Sequence, residues 1–188
     1  MLNEAIQLLL DVFVQGFAGV LLFRFLLQWL RAPMRNPVGE FIMAISDFAV
    51  LRARRYIPPV KKLDSSSLLL ALAVELIYLS LTLSIDGYPF VHFPLLGLFA
   101  WSFVKLVKIS VYLLMSALVA QAILSWVNPY TPLAPLLAAI TQRFLRPLQR
   151  VLPLIGNVDL SPLILLVVCQ IILVVPLTML ESLAVRLL

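Results

Sequence analysis

Four apolar stretches, each long enough to cross a lipid bilayer, constrain this sequence more than any other feature. An α-helix rises about 1.5 Å per residue, so roughly 20 apolar residues cross a hydrocarbon layer about 30 Å thick. Hydrophobic residues make up 63% of the chain and charged residues only 12%, so almost every helical face is apolar. The sequence therefore predicts an all-α membrane protein with four transmembrane helices. They are predicted at about residues 6–30, 68–85, 105–127 and 163–180.

The third span is the hardest to delimit. The apolar stretch at residues 95–127 would form about 50 Å of helix, too long for one upright crossing. No turn signal follows Gly97, so two crossings are not expected. We interpret the stretch as one crossing with an interfacial extension, because Lys105 and Lys108 near its start can reach toward lipid head groups.

Basic residues are concentrated in two loops. Residues 31–62 hold seven of the fourteen lysines and arginines, and residues 128–159 hold three more. Because positively charged loops tend to stay on the cytoplasmic side, loops 31–67 and 128–162 are predicted to be cytoplasmic. Both termini would then lie outside a bacterial inner membrane. This charge favours anionic lipids as partners, and no aromatic groove suggests nucleic acid.

The two halves of the chain share an ordered series of short motifs. We interpret them as tandem repeats at residues 1–92 and 93–188, each made of a span, a basic loop and a span. Two spans return the chain to its starting side, so the copies share one topology about an axis along the membrane normal. The matching residues are Trp29 with Trp126, Asn36 and Pro37 with Asn128 and Pro129, Arg55 and Pro58 with Arg150 and Pro153, and Asp64 and Ser66 with Asp159 and Ser161.

Each basic loop contains a segment with apolar residues at helical spacing. They are Val38, Phe41, Ile42, Ile45, Phe48 and Ala49 in the first loop, and Leu133, Leu136, Leu137, Ile140 and Phe144 in the second. The segments, at about residues 38–55 and 133–150, are predicted to be amphipathic helices on the cytoplasmic face. Anchoring to the bilayer and docking of a soluble or membrane partner are both compatible with this pattern. Each segment ends in arginines, which suit a helix C-terminus and can meet anionic lipid. The arginines are Arg52, Arg54 and Arg55 in the first segment and Arg143, Arg146 and Arg150 in the second.

The repeated Asp-x-Ser motif precedes the second span of each half. Asp and Ser at a helix start accept hydrogen bonds from otherwise unsatisfied backbone N–H groups, so we interpret these residues as helix caps rather than ion or proton ligands. The Asn-Pro pairs are interpreted as turn initiators. The predicted caps are Asp64, Ser66, Asp159 and Ser161.

Ionisable residues inside spans are costly and normally face a partner. Arg24 lies six residues before the end of the first span, and Glu75 seven residues after the start of the second, so both should lie at one depth. Such pairs would fasten helices together, or would belong to a conducting or proton-relay path. The predicted pairs are Arg24 with Glu75, Gln121 with Gln170, and Asp11 with Lys108.

The sequence offers little material for catalysis. It contains one histidine, His92, in the short outer loop, and one cysteine, Cys169, which we interpret as a packing residue. No phosphate-binding glycine loop, metal-ligand spacing or nucleophile with a base is present. We therefore expect neither an enzyme nor a bound cofactor or metal.

The repeated motifs resemble those of the YggT family of bacterial membrane proteins, whose relatives include YlmG, and the resemblance covers essentially the whole chain. The family motif has a tryptophan ending a span, Asn-Pro, a segment rich in threonine, proline and arginine, and then Gly-x-x-Asp-x-Ser. The first copy departs from it at Phe48, Arg52 and Lys61, and the second at Arg143 and Gln149. The first copy contains Trp29, Asn36, Pro37, Arg54, Arg55, Pro58, Asp64 and Ser66; the second contains Trp126, Asn128, Pro129, Thr141, Arg146, Pro147, Arg150, Pro153, Gly156, Asp159 and Ser161.

What this resemblance implies is a scaffold or assembly factor, linked in the family to cell division, envelope or nucleoid organisation, osmotic-stress tolerance, and cytochrome maturation in plastid relatives. It brings no catalytic residues. An ion or solute pathway contributing to osmotic tolerance is the alternative, and such a pathway could lie between protomers of a homo-oligomer. Intramembrane charges paired in a packed bundle would favour the scaffold, whereas charges lining a continuous wet cavity would favour transport.

Overall fold

A computed structural model describes residues 2–57, 64–88, 94–128, 130–151 and 159–188 of the chain. Every regular element in these ranges is a helix. The elements are α1 (Leu2–Leu9), a π-helical segment (Leu10–Gln15), α2 (Gly16–Trp29), α3 (Pro37–Ala53), α4 (Ser65–Ile85), α5 (Leu95–Val127), α6 (Ala134–Val151), α7 (Ser161–Val174) and α8 (Pro176–Val185).

Four helical stretches are long and apolar enough to cross a membrane, which confirms the predicted number of spans. They are Asn3–Trp29, Ser65–Ile85, Leu95–Ser125 and Ser161–Val185. The third is a single unbroken helix, as the lack of a turn signal indicated. The fourth continues beyond the predicted end near residue 180, because the chain resumes a helix at Pro176 after a short interruption.

Two spans contain irregular backbone. In the first, the π-helical segment Leu10–Gln15 separates α1 from α2, and the Gly16 N–H bonds to the Asp11 carbonyl five residues earlier. In the fourth, Pro176 follows a distorted Val175, with φ −97° and ψ −76°. Proline has no N–H to donate to the preceding turn, so α7 ends here and α8 begins. Both irregularities alter the direction of side chains that form the site described below.

Helices α3 and α6 lie where the amphipathic segments were predicted, and they pack against the same end of the bundle. Ile42 of α3 shares an apolar cluster with Leu27 of α2 and with three residues of α6. The buried face of α6 includes Leu136, Leu137 and Ile140, all of which belong to its predicted apolar side. The apolar side of α3, by contrast, is only partly buried.

On α3, only part of the predicted apolar side enters the core. Ile42 is buried, but Phe41 and Phe48 are 62% and 61% exposed. Ser46 is buried in their place because its hydroxyl meets Arg24 of α2. An inward polar contact therefore sets the rotation of this helix and turns the two phenylalanines outward.

Candidate functional site

Arg24 projects from α2 toward α3 and is only 4% exposed. One nitrogen, Nη1, donates to the Ser46 hydroxyl and to Asp47 Oδ1, each at 2.7 Å. The Ser46 hydroxyl in turn donates to the Ile42 carbonyl at 2.6 Å. This buried arginine therefore ties the first span to the short helix that follows it in sequence.

Asp64, just before α4, accepts from several donors and completes what we call the motif cluster: Arg24, Ser46, Asp47, Arg54, Asp64 and Ser67. Arg54 Nη2 lies 2.7 Å from Asp64 Oδ2, and the Ser67 hydroxyl lies 2.9 Å from the same oxygen. Arg24 Nε is 3.7 Å away. The backbone N–H of Asp64 donates to the Gln28 side chain at 3.2 Å. The cluster thus joins α2, α3 and α4.

The pKa of the Asp64 carboxyl reflects opposing influences. Burial alone would raise it, but the hydrogen bonds from Arg54 and Ser67, with the nearby charges of Arg54 and Arg24, hold the pKa below its usual value of 3.8. The carboxylate is therefore the form that the folded protein stabilises.

The predicted pair of Arg24 with Glu75 is wrong. Arg24 bonds to Ser46 and Asp47, which the depth argument could not bring close because it compared only the spans. Glu75 is fully buried, and neither of its carboxyl oxygens has a hydrogen-bond partner within the part of the chain that the structure describes. Lys105 Nζ lies 3.9 Å from Glu75 Oε1.

The predicted pair of Gln121 with Gln170 is also wrong. Gln121 Oε1 accepts from the Thr141 hydroxyl of α6 at 2.5 Å, whereas Gln170 is exposed on α7. Gln149 Nε2 donates to Asp159 Oδ2 at 2.8 Å. The second half therefore makes neutral contacts at positions that resemble those of the motif cluster.

Of the four residues predicted to cap helices, one makes the expected hydrogen bond. Asp159 accepts from the Ser161 N–H at 2.8 Å, as a residue at a helix start should. Asp64 makes no such bond to the backbone, and the Ser66 hydroxyl donates instead to the Ile57 carbonyl at 2.8 Å. Ser161 itself makes no side-chain cap. Capping is therefore wrong for Asp64, Ser66 and Ser161. The Asp64 carboxylate bonds to Arg54 and Ser67, the Ser66 hydroxyl bonds to a loop carbonyl, and Leu160 rather than Ser161 stands at the N-cap position of α7.

The two Asn-Pro pairs act differently. Asn36 Oδ1 accepts from the Gly39 N–H at 2.9 Å and caps α3, with Pro37 as the first helical residue. Asn128 accepts from the Tyr130 N–H at 3.1 Å in a turn, as predicted. Several sequence predictions fall outside the described residues or side chains. They concern Pro58, His92, Trp126, Pro129, Pro153 and Gly156.

A second polar group, which we call the intraspan cluster, consists of Asp11, Tyr78, Trp101, Lys105, Lys108 and Glu181. The Tyr78 hydroxyl donates to Asp11 Oδ1 at 2.5 Å. Lys108 forms an ion pair with Glu181, which also accepts from Trp101 Nε1 at 3.0 Å. The predicted pair of Asp11 with Lys108 is therefore wrong, since each has a different partner on a different helix.

Lys105 is held by rings as well as by charge. Its Nζ lies 4.6 Å from the centroid of the Tyr78 ring and 5.4 Å from that of Trp101. Such cation–π contacts are stronger away from water. Sequence reasoning missed Tyr78, Trp101 and Glu181. Of the three, Glu181 had the clearest sequence signal, because it is an acidic residue in the largely apolar stretch that follows Pro176.

A cavity of about 440 Å³ adjoins the intraspan cluster. It combines two lysines and two carboxylates in a mostly apolar bundle, which suits water or a small polar species. Each lining carboxylate already has a protein partner. Among the described residues, no group of three or more histidine, cysteine or acidic side chains is placed to hold a metal. The cavity is lined by Asp11, Gln15, Gly16, Lys105, Lys108, Ile109, Tyr112 and Glu181.

Comparison with known proteins decides the family. The CCB3/YggT family model matches two separate stretches, residues 3–85 and 100–180. The chain belongs to the CCB3/YggT family. No solved structure matches it.

The relatives of this CCB3/YggT family member carry no assigned activity in their names. It is 32% identical to the uncharacterized protein PA0392 of Pseudomonas aeruginosa, over 86% of this chain and 83% of that protein. It is 28% identical to the uncharacterized protein YggT of Escherichia coli K12, over 90% and 87%. An uncharacterized protein of Vibrio alginolyticus is 30% identical over 88% and 87%.

The repeated motif of this CCB3/YggT member and its intraspan cluster lie in different places. Arg54 and Asp64 belong to the motif cluster, whereas Lys108 and Glu181 belong to the intraspan cluster. The exposed arginines Arg55, Arg146 and Arg150 belong to neither cluster. Arg146 Nη2 donates to Gln142 Oε1 on its own helix, at 3.4 Å. Three surfaces therefore need separate functional explanations.

Proposed function

We propose that this chain is a non-enzymatic scaffold or assembly factor of the bacterial inner membrane. What supports this function is that Asp11, Lys108 and Glu181, three charged side chains within its spans, each bond to a polar or charged side chain on another helix. Asp11 accepts a hydrogen bond from the Tyr78 hydroxyl, and Lys108 forms an ion pair with Glu181. A protein that must hold partners in fixed positions benefits from helices whose rotation and depth are fixed in this way.

The energetic role of these contacts is mainly to specify geometry. Hydrogen bonds between membrane helices contribute about 0.6 kcal/mol on average, so no single contact determines stability. Several contacts together nevertheless oppose rotation, because a rotated helix would leave Lys108 or Asp11 facing hydrocarbon without a partner. The bundle is thereby suited to presenting a constant surface.

We further propose that the chain consists of two tandem repeats in the membrane, at residues 1–92 and 93–188. Two separate family matches support this division. Corresponding contacts support it as well, since Arg54 with Asp64 and Gln149 with Asp159 both join side chains ten residues apart. Loops 31–67 and 128–162 would face the cytoplasm, with both termini outside.

Labelling tests that orientation. In a Cys169→Ser background, Arg35→Cys should be protected from a membrane-impermeant maleimide in intact cells and labelled in inverted vesicles. Arg186→Cys, at the exposed C-terminal end, should show the reverse pattern. The same pattern for both positions, or the opposite one, would contradict the orientation.

We assign partner binding to a basic surface on α3 and α6. We define this surface as Arg52 in the last turn of α3, Arg55 just after it, and Arg146 and Arg150 on α6. All four side chains are exposed. Arg54 is excluded because its guanidinium is held by Asp64. The four charges would meet anionic lipid or an acidic surface of a membrane or cytoplasmic protein.

In-cell crosslinking followed by purification in gentle detergent tests the scaffold. The variant replaces Arg52, Arg55, Arg146 and Arg150 by glutamine, and the matched control replaces them by lysine. Specific division, envelope or cytochrome-assembly proteins captured by the wild type should be lost in the glutamine variant. Retention by the lysine control would identify charge as the cause. No specific partner of the wild type would contradict the scaffold.

The alternative function is an ion or solute transport component that contributes to osmotic tolerance. The polar-lined cavity of about 440 Å³ is the observation that favours it. Purified protein in vesicles should then accelerate swelling or ion flux in an osmotic gradient, and Asp11→Asn should reduce the rate. A rate equal to that of protein-free vesicles would exclude this alternative.

A further inference from the structure

An apolar groove of about 450 Å³ lies between α2, α5, α6 and α7, and we call it the α6 groove. Its floor includes the buried Leu165 and Cys169, and its edge includes the partly exposed Val168 and Ile172. The volume falls within the range of about 300–1,000 Å³ that is typical of small-molecule sites. The intraspan cluster contributes no residue to this groove.

The groove runs along apolar parts of three spans and ends near one end of them. Its lining on α2 runs from Phe23 to Leu30, and on α7 from Leu165 to Ile172. Each run covers about 10 Å along a helix. Trp29, the last residue of α2, lies in the lining at the α6 end. Tryptophan is enriched at the boundary between hydrocarbon and head groups, so the groove leads from that boundary into the apolar layer.

A cation stands at the same end of the groove. The guanidinium carbon of Arg143 lies 4.6 Å from the centroid of the Trp29 ring. Among the described residues, no carboxylate oxygen lies within 4 Å of Arg143, unlike Arg24 and Arg54. Stacking on a ring leaves the N–H donors of arginine available, and their planar arrangement suits phosphate oxygens. The charge of Arg143 is therefore not neutralised by a side chain of this part of the protein.

We propose that the α6 groove binds one acyl chain of an anionic phospholipid, with the lipid phosphate beside Arg143. The apolar walls match the chain, and the unneutralised guanidinium matches the head group. This proposal goes beyond the scaffold function and does not depend on it. A second copy of this chain is the competing occupant, and the experiment below distinguishes it.

The first half of the chain has no equivalent charge. Ninety-five residues separate Arg55 from Arg150, and the same spacing relates Phe48 to Arg143. Phe48 stacks on Phe17, with the ring centroids 5.6 Å apart. An aromatic pair thus occupies the position at which the second half places a cation. We therefore expect one lipid bound per chain rather than two.

Native mass spectrometry of the purified chain, titrated with phosphatidylglycerol, tests the proposal. Phosphatidylcholine with the same acyl chains is the lipid control. Arg143→Gln should weaken retention of phosphatidylglycerol about tenfold, as expected for loss of a charge-assisted hydrogen bond. Arg35→Gln removes the same charge from an exposed position outside both the groove and the basic surface, and should leave retention unchanged.

A second variant tests the apolar part without altering charge. Val168→Trp should fill the groove and reduce retention of phosphatidylglycerol, and Ile172→Trp serves if that variant fails to fold. Unchanged circular dichroism and thermal unfolding establish that each compared variant is folded. One phosphatidylglycerol per wild-type chain, held more tightly than phosphatidylcholine, is the expected result.

Three results would overturn the proposal. Equal losses in Arg143→Gln and Arg35→Gln would show diffuse attraction of the lipid to exposed basic residues rather than binding in the groove. Undiminished retention in Arg143→Gln would remove the head-group contact. A wild-type dimer that separates in Val168→Trp, without change in lipid retention, would identify a second copy as the occupant.

Discussion

Asp64 is the residue at which the contacts of the first half converge. It accepts from Arg54 and Ser67 through its carboxylate and joins Gln28 through its backbone N–H. A family-motif residue that precedes a span therefore acts as a connection between three helices. Its neighbour Ser66 adds a fourth attachment, to the Ile57 carbonyl.

The stability that Asp64 contributes should depend on pH. Because the folded-state pKa lies below the usual value of 3.8, the contribution is fully present above about pH 4 and is lost as pH falls through the folded-state pKa. Thermal unfolding in detergent from pH 7 to pH 3 should therefore show a steeper acid loss for the wild type than for Asp64→Asn. Asp159 is present in both proteins, so its titration cancels. Equal pH profiles would contradict the role of Asp64.

Arg24 and Glu75 should contribute independently to stability. Arg24 bonds to Asp47 and Ser46, whereas the nearest cation to Glu75 is Lys105. We expect Arg24→Gln to be destabilising because it removes the guanidinium from the buried Ser46 hydroxyl and from Asp47. We expect the double variant with Glu75→Gln to show additive changes within about 0.5 kcal/mol. Unfolding by sodium dodecyl sulfate measures both. A double variant more stable than Arg24→Gln alone would instead support the pairing of Arg24 with Glu75 that the sequence predicted.

These side-chain partners show which contacts could be predicted from the sequence and which could not. Depth along a span follows from counting residues, so the need for partners of Arg24 and Asp11 was predictable. Helix rotation does not follow from counting, and one residue changes direction by about 100°. Tyr78 and Ser46 therefore entered the site without being predicted, because neither is charged.

At the scale of elements, the start of α3 depends on one side chain. Asn36 is buried, caps the Gly39 N–H and donates to the Pro33 carbonyl at 2.6 Å. We expect Asn36→Ala to lower the free energy of unfolding by about 1 kcal/mol. The matched Asn128→Ala, at an exposed turn, should cost less. Hydrogen exchange along α3 locates the effect, and equal exchange in both variants would contradict the cap.

The spans were predictable because the length of an apolar stretch can be counted in the sequence. Helix α6 was predictable because its apolar residues recur at helical spacing, and the structure buries that side. Other elements were not. The π-helical segment has no proline or glycine within Leu10–Gln15 to mark it. The fourth span was predicted to pass Pro176 and end near residue 180, but its helix runs on to Val185, because proline is tolerated as the first residue of a new helix. Glu181 lies on that continuation.

At the scale of the whole molecule, the two halves make similar contacts with different chemistry. The first uses the ion pair of Arg54 with Asp64, and the second the amide of Gln149 with Asp159. The Lys108 and Glu181 pair then joins α5 to α8. Charge in the spans therefore holds helices in place, which is the central claim behind the proposed scaffold.

The measurement that tests this claim most directly combines unfolding and flux on one set of variants: Lys108→Met, Glu181→Gln and the double variant. We expect each single change to lower the free energy of unfolding by about 1–3 kcal/mol, because it leaves a partly buried charge unpaired. The double variant should lose less than the sum, and none of the proteins should conduct ions in vesicles. Single variants that unfold like the wild type but abolish a wild-type ion flux would contradict the claim.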